Sequence, residues 1–391
     1  TNQDYFGRAI ALDTDGNTAI VSASHEDTDA GNAGRCYIFV KSDAGTWSEQ
    51  YDFGSGVTQA NSYFGLSGVS ISGDGNVALA GKPSQDSGRV AIHTRSGTSW
   101  SSYGALTGEV NDGKFGSSCA ISGDGTTIAI GAEKQSGSSS GSTGQGAAYI
   151  YVKNNSNVWT LQQKINPNST SGQGSGDQNF GQSITISNDG NTVAIGAPGV
   201  SSSGSVQGRV EVWTRSGTTW THQQSVVPSS RGSRDTFGWR CALSGTDGNT
   251  LVVGQLYESS TYAGYAWIFT RSGTTWSQET TLRGSDTANA DHFGSAVAIS
   301  NDGTKVLVGA ERDTLSSGHD AGSAYLFVKS GSTWSQEIKY EPSSPSYADQ
   351  FGYAVGLSKD ASTIMVGAMK EDTGATDAGS VYIYSAVTES Y

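Results

Sequence analysis

The chain has 391 residues, a formal net charge of −13 and 15% charged side chains, against a typical ~25%. Its 54 glycines lack the three-residue period of collagen, and its 35% hydrophobic residues include 9 Trp, 17 Tyr and 11 Phe. This composition excludes collagen and wholesale disorder and predicts an all-β protein with a packed core. The acidic balance disfavours nucleic acid as a partner. No apolar run approaches the ~18 residues of a membrane span, so we expect no membrane insertion.

A Phe-Gly pair opens each of seven copies of one sequence pattern. The pairs begin at Phe6, Phe64, Phe115, Phe180, Phe237, Phe293 and Phe351. Their spacing of 51 to 65 residues is typical of a repeat architecture in which each copy forms one supersecondary unit. We expect a single domain over residues 1–391, with repeats at about 4–60, 61–111, 112–176, 177–233, 234–290, 291–348 and 349–391.

Each copy predicts four short antiparallel strands, and the fourth copy shows them most clearly. Its strands are expected at residues 180–187, 192–197, 209–214 and 219–226. An Asp-Gly pair separates the first two strands, because glycine supplies the positive φ that a tight hairpin needs. The first two strands are apolar on both faces, so neighbouring sheets must cover them on both sides.

Sequential four-stranded sheets that cover one another face to face around an axis form a β-propeller. The predicted fold is therefore an all-β, seven-bladed β-propeller of four-stranded antiparallel blades. Gly181 and Gly196 are expected to lie across the inner hairpin of their blade near the axis, where a side chain would push adjacent blades apart.

The fourth copy also carries Asp-Gly-Asn-Thr, then Val-Ala-Ile-Gly-Ala-Pro at 193–198 and Gly-Arg-Val-Glu-Val-Trp at 208–213. With its Phe-Gly pair, this sequence resembles the FG-GAP repeat of bacterial and protist proteins, and is more distantly similar to the seven-bladed head of integrin alpha subunits. The integrin branch holds calcium between its first and second strands. Here only Asp13 and Asp15 remain in such a turn, and calcium prefers six to eight oxygen ligands, so we expect no metal at the Asp-Gly turns.

The number of outer strands does not match the number of blades. Six Trp-led outer strands are predicted, beginning at Trp47, Trp100, Trp159, Trp220, Trp276 and Trp334. Blade seven is therefore expected to lack its outer strand or to borrow one, which leaves residues 381–384 as an edge that could pair with another chain. A partner, a neighbouring copy or an upstream segment, as in integrin heads, could fill this edge. Alternatively, residues 385–391 fold back as the fourth strand.

Acidic residues are concentrated in loops that should emerge on one face of the propeller, which we call the top face. The candidate ligand- or cation-binding residues are Glu26, Asp27, Asp29, Asp313, Asp320, Glu371, Asp372 and Asp377. One interpretation is that these side chains stabilise their own loops through Asx turns. The other is that they hold a calcium ion or a basic partner over blade seven. No other cofactor is expected.

Aromatic residues in the same loops favour recognition over catalysis. Tyr5, Tyr262 and Tyr347 could contact a sugar ring or a protein surface. Three top-face histidines lie near carboxylates in the sequence, but no nucleophile motif or zinc-spaced pair accompanies them, so we expect no enzyme activity.

The sequons at Asn154 and Asn168 are compatible with secretion.

Three functions remain from these observations. The first is an extracellular or cell-surface recognition or adhesion propeller that binds a protein or glycan through its top-face loops. The second is a structural subunit of a fibre, coat or surface assembly that associates through the edge of blade seven. The third is an enzyme that acts on a polysaccharide.

Overall fold

The computed structural model of the chain describes residues 3–54, 60–66, 68–84, 86–135, 144–167, 178–202, 205–230, 232, 234–245, 247–257 and 261–385. These residues form 29 β-strands, and none of them lies in an α-helix. A search of the same residues finds no helix with the length and apolar character needed to cross a membrane.

The strands follow one another along the chain in seven antiparallel sheets and one small hairpin. In chain order they are β1 (Phe6–Leu12), β2 (Thr18–Ala23), β3 (Arg35–Lys41), β4 (Trp47–Gly54), β5 (Val69–Ile71), β6 (Val77–Lys82), β7 (Arg89–Ser96), β8 (Ser99–Thr107), β9 (Phe115–Ile121), β10 (Thr127–Ala132), β11 (Ala147–Lys153), β12 (Trp159–Ile165), β13 (Ser183–Ile186), β14 (Thr192–Ala197), β15 (Ser201–Ser202), β16 (Ser205–Val206), β17 (Arg209–Ser216), β18 (Thr219–Val226), β19 (Phe237–Leu243), β20 (Thr250–Gln255), β21 (Tyr265–Ser272), β22 (Thr275–Leu282), β23 (Phe293–Ile299), β24 (Lys305–Ala310), β25 (Ser323–Ser330), β26 (Thr333–Tyr340), β27 (Phe351–Leu357), β28 (Thr363–Ala368) and β29 (Ser380–Ser385).

Each sheet is one blade, and its strands pair in chain order. Blades one, two and three are β1–β4, β5–β8 and β9–β12, and blade four is β13, β14, β17 and β18, with the hairpin β15–β16 between its second and third long strands. Blades five and six are β19–β22 and β23–β26, and blade seven is β27–β29. A register shift near the start of the first strand recurs in five blades, because the Phe-Gly pair is followed by a bulge.

Backbone hydrogen bonds join each blade to the one before it. The Phe64 amide of blade two donates to the Ala33 carbonyl of blade one at 3.0 Å, and Phe351 of blade seven donates to Ala321 of blade six at 2.8 Å. The same bond runs from Phe6 of blade one to Ala378 of blade seven at 2.8 Å, which closes the ring. The predicted seven-bladed β-propeller is therefore confirmed.

Glycine allows the blades to approach each other closely at their second strands. A Cβ atom built on Gly131 would lie 2.8 Å from the Gly181 carbonyl carbon of the next blade, and one on Gly196 would lie 3.2 Å from the Gly238 carbonyl carbon. The predicted packing role of Gly181 and Gly196 is thus confirmed. Blade one has Ser22 at this position, and the first strand of blade two is shortened to three residues.

The recurrent tryptophans bind the outer strand of one blade to that of the preceding blade. The Trp220 indole Nε1 donates to Gln162 Oε1 at 2.8 Å, and Trp276 Nε1 donates to Gln223 Oε1 at 2.8 Å. Both indole rings are buried, with 2% and 3% exposure. The same contact is made by Trp100 to Gln50 and by Trp334 to Glu279, so it accounts for Trp at the start of the outer strand in four of the six copies.

Blade seven has three strands among the described residues, as predicted. The central apolar residue of the third strand is at most 4% exposed in blades one to six, where a fourth strand covers it, but Ile383 of blade seven is 40% exposed. Residues 386–391, which belong to the alternative of a returning fourth strand, lie outside the described residues.

Candidate functional site

The residue before each Phe-Gly pair combines a fixed backbone with a variable side chain. In six blades it has a left-handed φ between +50° and +58°. A non-glycine residue in this region costs of order 1 kcal/mol or more, and such residues cluster at functional sites. The side chains at this position are Tyr5, Tyr63, Lys114, Asn179, Thr236, His292 and Gln350. They lie on the top face at the start of the inner strands, so the seven blades place six different residue types at this position.

The predicted acidic residues of blade one surround a single arginine. Arg35 contacts the carboxylates of Asp52 and of Asp29, the latter at 2.9 Å, and its Nε lies 3.5 Å from Glu26 Oε2. The remaining predicted acid of this loop, Asp27, accepts a hydrogen bond from the Asn32 amide at 2.6 Å. The charges of Glu26 and Asp29 are therefore compensated within the blade.

In blade six, a lysine compensates the buried Asp313. The Asp313 side chain is 2% exposed, and its Oδ2 accepts hydrogen bonds from Tyr325 at 3.1 Å and from Lys339 at 2.8 Å. Despite partial burial, the carboxylates of Asp286 and Asp313 raise the pKa of Lys339. The other predicted acid of this loop, Asp320, accepts a bond from Thr314 Oγ1 at 2.6 Å.

The predicted acids of blade seven repeat the loop geometry of blade one. Thr373 Oγ1 donates to Glu371 Oε1 at 2.5 Å, and Asp372 accepts a hydrogen bond from the Asp377 amide at 2.8 Å. In blade one, Thr28 likewise donates to Glu26, and Asp27 accepts from the amide five residues later. The shared Glu-Asp-Thr sequence is thus accounted for by loop hydrogen bonds.

These contacts agree with the loop-stabilising interpretation of the acidic residues. The eight candidates lie in three separate loops. Seven of their carboxylates contact a partner in their own blade, and Asp377 contributes its backbone amide to Asp372. A search of the described residues for three or more metal-ligating side chains that could hold one ion finds no such group.

The predicted aromatic contacts differ in exposure. Tyr347 is 74% exposed and Tyr262 is 41% exposed, so both rings are available to a ligand. Tyr5 is half-buried, with its ring 4.5 Å from that of His25 in an edge-on arrangement. Burial and the nearby Arg8 guanidinium lower the pKa of His25 to about 4, so this imidazole is neutral at physiological pH.

A cavity of about 200 Å³ lies on the propeller axis, where the inner strands of all seven blades meet. We call it the axial pocket. Its walls are mostly small and apolar residues, but Arg8 of blade one and Arg240 of blade five also line it, from opposite sides of the ring. The described lining residues include no Asp or Glu. A positively charged pocket thus lies at the centre of an acidic protein.

Neighbouring blades hold the Arg8 side chain in place. Its Nε donates to the Leu66 carbonyl of blade two at 3.0 Å, and its Nη1 lies 3.4 Å from Met369 Sδ of blade seven. The guanidinium carbon lies 5.2 Å from the centre of the Tyr353 ring. These contacts fix the position of the guanidinium group without neutralising its charge.

Arg240 has a similar environment on the other side of the pocket. Its Nη1 donates to the Trp239 carbonyl at 3.1 Å, and its guanidinium carbon lies 5.5 Å from the centre of the Trp239 ring.

Two thiols of the lining stay protonated at neutral pH, because burial raises the pKa of Cys119 to about 12 and that of Cys241 to about 11.

Polar contacts across the axis close the bottom of the pocket. Asn188 Nδ2 of blade four donates to Asn301 Oδ1 of blade six at 2.9 Å, and Lys359 Nζ of blade seven lies 3.5 Å from the Leu243 carbonyl of blade five. Backbone bonds between adjacent blades, such as that from Thr14 to Gly73 at 3.1 Å, surround these side chains. The axial pocket therefore opens toward the top face.

A comparison with protein families identifies the repeat. A family model described as FG-GAP repeat matches residues 1–39, 276–327 and 334–384, which include the Phe-Gly pairs of blades one, six and seven. The chain carries FG-GAP repeats. No curated protein matches the chain in sequence.

Hydrogen bonds define the surroundings of three histidines of this FG-GAP propeller. His25 Nδ1 lies 2.9 Å from Ser24 Oγ, and His292 Nδ1 lies 3.2 Å from Glu311 Oε1. On the outer strand of blade four, Glu211 Oε2 lies 2.6 Å from His222 Nε2 and accepts from Ser225 Oγ at 2.7 Å. A catalytic triad requires the acid and the hydroxyl on opposite ring nitrogens, and here both lie beside Nε2.

Sequence reasoning missed the two arginines of the axial pocket. Arg8 follows its Phe-Gly pair by one residue and Arg240 follows its pair by two, so they occupy different columns of the repeat alignment. Both columns contain neutral residues in most FG-GAP copies. A search of the copies for isolated charged residues next to Phe-Gly could have found both arginines. Their position in one pocket could not be predicted in this way, because it depends on the register shift after the Phe-Gly pair.

Proposed function

We propose that this FG-GAP propeller is a non-enzymatic recognition or adhesion module that works outside the cell or at its surface. It binds a protein or glycan through its top face. The proposal depends on one observation: a side chain that varies between blades precedes each of the seven Phe-Gly pairs on the top face, toward which the axial pocket opens. A rigid backbone with interchangeable side chains is well suited to selective binding.

The exposed tyrosines and the typical setting of the repeat support this proposal. Tyr262 and Tyr347 present aromatic rings that bury a large area at small entropic cost when a ligand docks. FG-GAP repeats are typical of extracellular or surface proteins. Asn154, in an exposed turn of blade three, remains compatible with glycosylation, and Asn168 lies outside the described residues.

A glycan array combined with binding to intact cells tests this function. We expect the labelled protein to bind a restricted set of glycans or a cell surface. The double variant Tyr262→Ala, Tyr347→Ala should weaken binding about tenfold. Tyr103→Ala is the matched control, because Tyr103 is similarly exposed but lies on an outer strand. Absence of binding, or equal effects of both variants, would contradict the proposal.

A second candidate function, that of a structural subunit, is favoured by the edge of blade seven. The exposed Ile383 occupies a position that a fourth strand covers in every other blade. Strand addition to such an edge supplies main-chain hydrogen bonds and covers the apolar side chain. A strand of a neighbouring copy or partner would complete the blade and join subunits.

The loop above this edge indicates the charge of the incoming strand. Glu371 has the loop position of Asp313 and is buried, and its carboxylate accepts hydrogen bonds from Thr373 and Tyr382 but makes no ion pair among the described residues. In blade six, Lys339 on the fourth strand neutralises Asp313. A strand that completes blade seven should therefore carry a basic side chain opposite Tyr382, which corresponds to Tyr325.

Light scattering over a range of protein concentrations tests this second function. We expect assembly that rises with concentration and is abolished by Ile383→Glu. The matched control is Ile338→Glu on β26, because Ile338 is also exposed, at 37%, but lies on an outer strand that is already paired. A particle mass that stays constant, or assembly that both substitutions impair equally, would refute it.

A further inference from the structure

We propose that the axial pocket binds the carboxylate group of an acidic glycan, with Arg8 and Arg240 as its anion-binding side chains. This inference rests on the proposed recognition function and names the class of ligand. It depends on the charge of the pocket, the free donors of the two guanidinium groups and the aromatic ring beside Arg8.

The charge of the pocket is opposite to that of the protein. The chain has 23 basic and 36 acidic side chains, yet two arginines and no described carboxylate line the pocket. Two half-buried cations outside the pocket, Arg35 and Lys339, each lie against two or more carboxylates. Arg8 and Arg240 make no ion pair within the described residues. An anion that enters the pocket would supply the missing charge.

The two side chains retain hydrogen-bond donors for such an anion. A guanidinium group has five N–H donors, arranged to match the geometry of a carboxylate. Arg8 uses two of them, toward the Leu66 carbonyl and Met369 Sδ, and Arg240 uses one, toward the Trp239 carbonyl. Each guanidinium can therefore still bind a carboxylate while its own position is fixed.

The surroundings of the arginines favour a sugar as the carrier of the carboxylate. The Tyr353 ring lines the pocket next to the Arg8 guanidinium, and an aromatic ring in such a position can pack against the apolar face of a sugar. Gln182 adds an amide to the wall. The volume of about 200 Å³ is below that of sites for drug-sized ligands, so it suits one sugar residue at the end of a chain.

Calorimetric titration with defined probes tests this assignment. The probes are trigalacturonic acid and 3′-sialyllactose, with the methyl ester of the first and lactose as their neutral counterparts. We expect at least one acidic probe to bind and its neutral counterpart to bind more weakly. Arg8→Met and Arg240→Met should each reduce affinity about tenfold to a hundredfold, which is typical of one charged hydrogen-bonding group. Added salt should also weaken binding.

Arg312→Met is the matched control. Arg312 is an exposed arginine on a top-face loop of blade six that does not line the pocket, so its loss removes one positive charge without changing the site. Thermal unfolding of each variant establishes that the propeller remains folded. An equal loss of affinity in all three arginine variants would mean general electrostatic attraction and would overturn the proposal.

The outcomes separate this inference from the recognition function. Binding of neutral glycans that is unaffected by Arg8→Met and Arg240→Met would leave the recognition function intact and overturn the axial site. Binding of triglutamate without binding of either acidic glycan would overturn the choice of a glycan. Absence of binding to every glycan and to cells would overturn both proposals.

Discussion

A methyl group added at the interface between two blades should destabilise the propeller. Gly131 lies on the second strand of blade three, and a Cβ atom built there would lie 2.8 Å from the Gly181 carbonyl carbon of blade four. Real Cβ atoms essentially never approach another heavy atom within 3.0 Å, so one blade must move. Because the obstacle is backbone, which cannot rotate away, we expect Gly131→Ala to cost about 2–3 kcal/mol, the upper range for overpacking.

Urea denaturation followed by tryptophan fluorescence measures this cost. Gly31→Ala is the matched control, because a Cβ on Gly31 meets no atom within 4 Å. Replacing a glycine in an open position usually stabilises a protein slightly, by lowering the entropy of the unfolded chain. We therefore expect a lower urea midpoint for Gly131→Ala only. Equal midpoints for the two variants would refute the close approach of blades at their second strands.

Three further substitutions test the interior of the blades. Lys339→Met should cost about 3–5 kcal/mol, since it leaves the Asp313 carboxylate buried without a cation, and chemical denaturation measures this. Burial lowers the pKa of His93 to about 4, so the unfolded chain binds a proton that the folded chain does not as the pH falls from 6.5 to 4. The parent protein should therefore lose up to about 3 kcal/mol of stability over this interval, and His93→Phe should abolish that loss. Trp220→Phe should cost about 1 kcal/mol or more, because the Gln162 carbonyl loses its donor.

Each of these substitutions has an outcome that contradicts its reasoning. Stability of Lys339→Met close to that of the parent protein would mean that Asp313 is neutral or solvated. An unchanged pH profile for His93→Phe would mean that His93 accepts a proton in the folded state. An unchanged free energy of unfolding for Trp220→Phe would mean that the hydrogen bond from the indole does not stabilise the contact between blades four and three.

The fold could be predicted because the same pattern is repeated seven times. A strand boundary that is ambiguous in one copy is clear in another, and the Asp-Gly turns and Trp-led strands fix the order of strands within each blade. The three-stranded form of blade seven among the described residues was also predictable, since it follows from counting Trp-led segments against Phe-Gly pairs. These inferences need only local turn chemistry and the alternation of strands.

The site was harder to predict because its residues meet only in three dimensions. The acidic residues were conspicuous in the sequence, but nothing in the sequence showed that Arg35, at the start of the following strand, and Lys339, on the outer strand, turn back to compensate them. The axial pocket depends on Arg8 and Arg240, single departures in two blades whose common position arises from the register shift after Phe-Gly. Alignment of the copies shows the residues that they share, whereas the site depends on residues that occur in one copy only.

The most direct test of the recognition account is a crystal structure of the protein with the acidic oligosaccharide that binds it most tightly. The account predicts the sugar carboxylate in the axial pocket, within hydrogen-bond distance of the Arg8 and Arg240 guanidinium groups. A sugar bound on the loops or on the edge of blade seven, with the axial pocket free of it, would contradict the account.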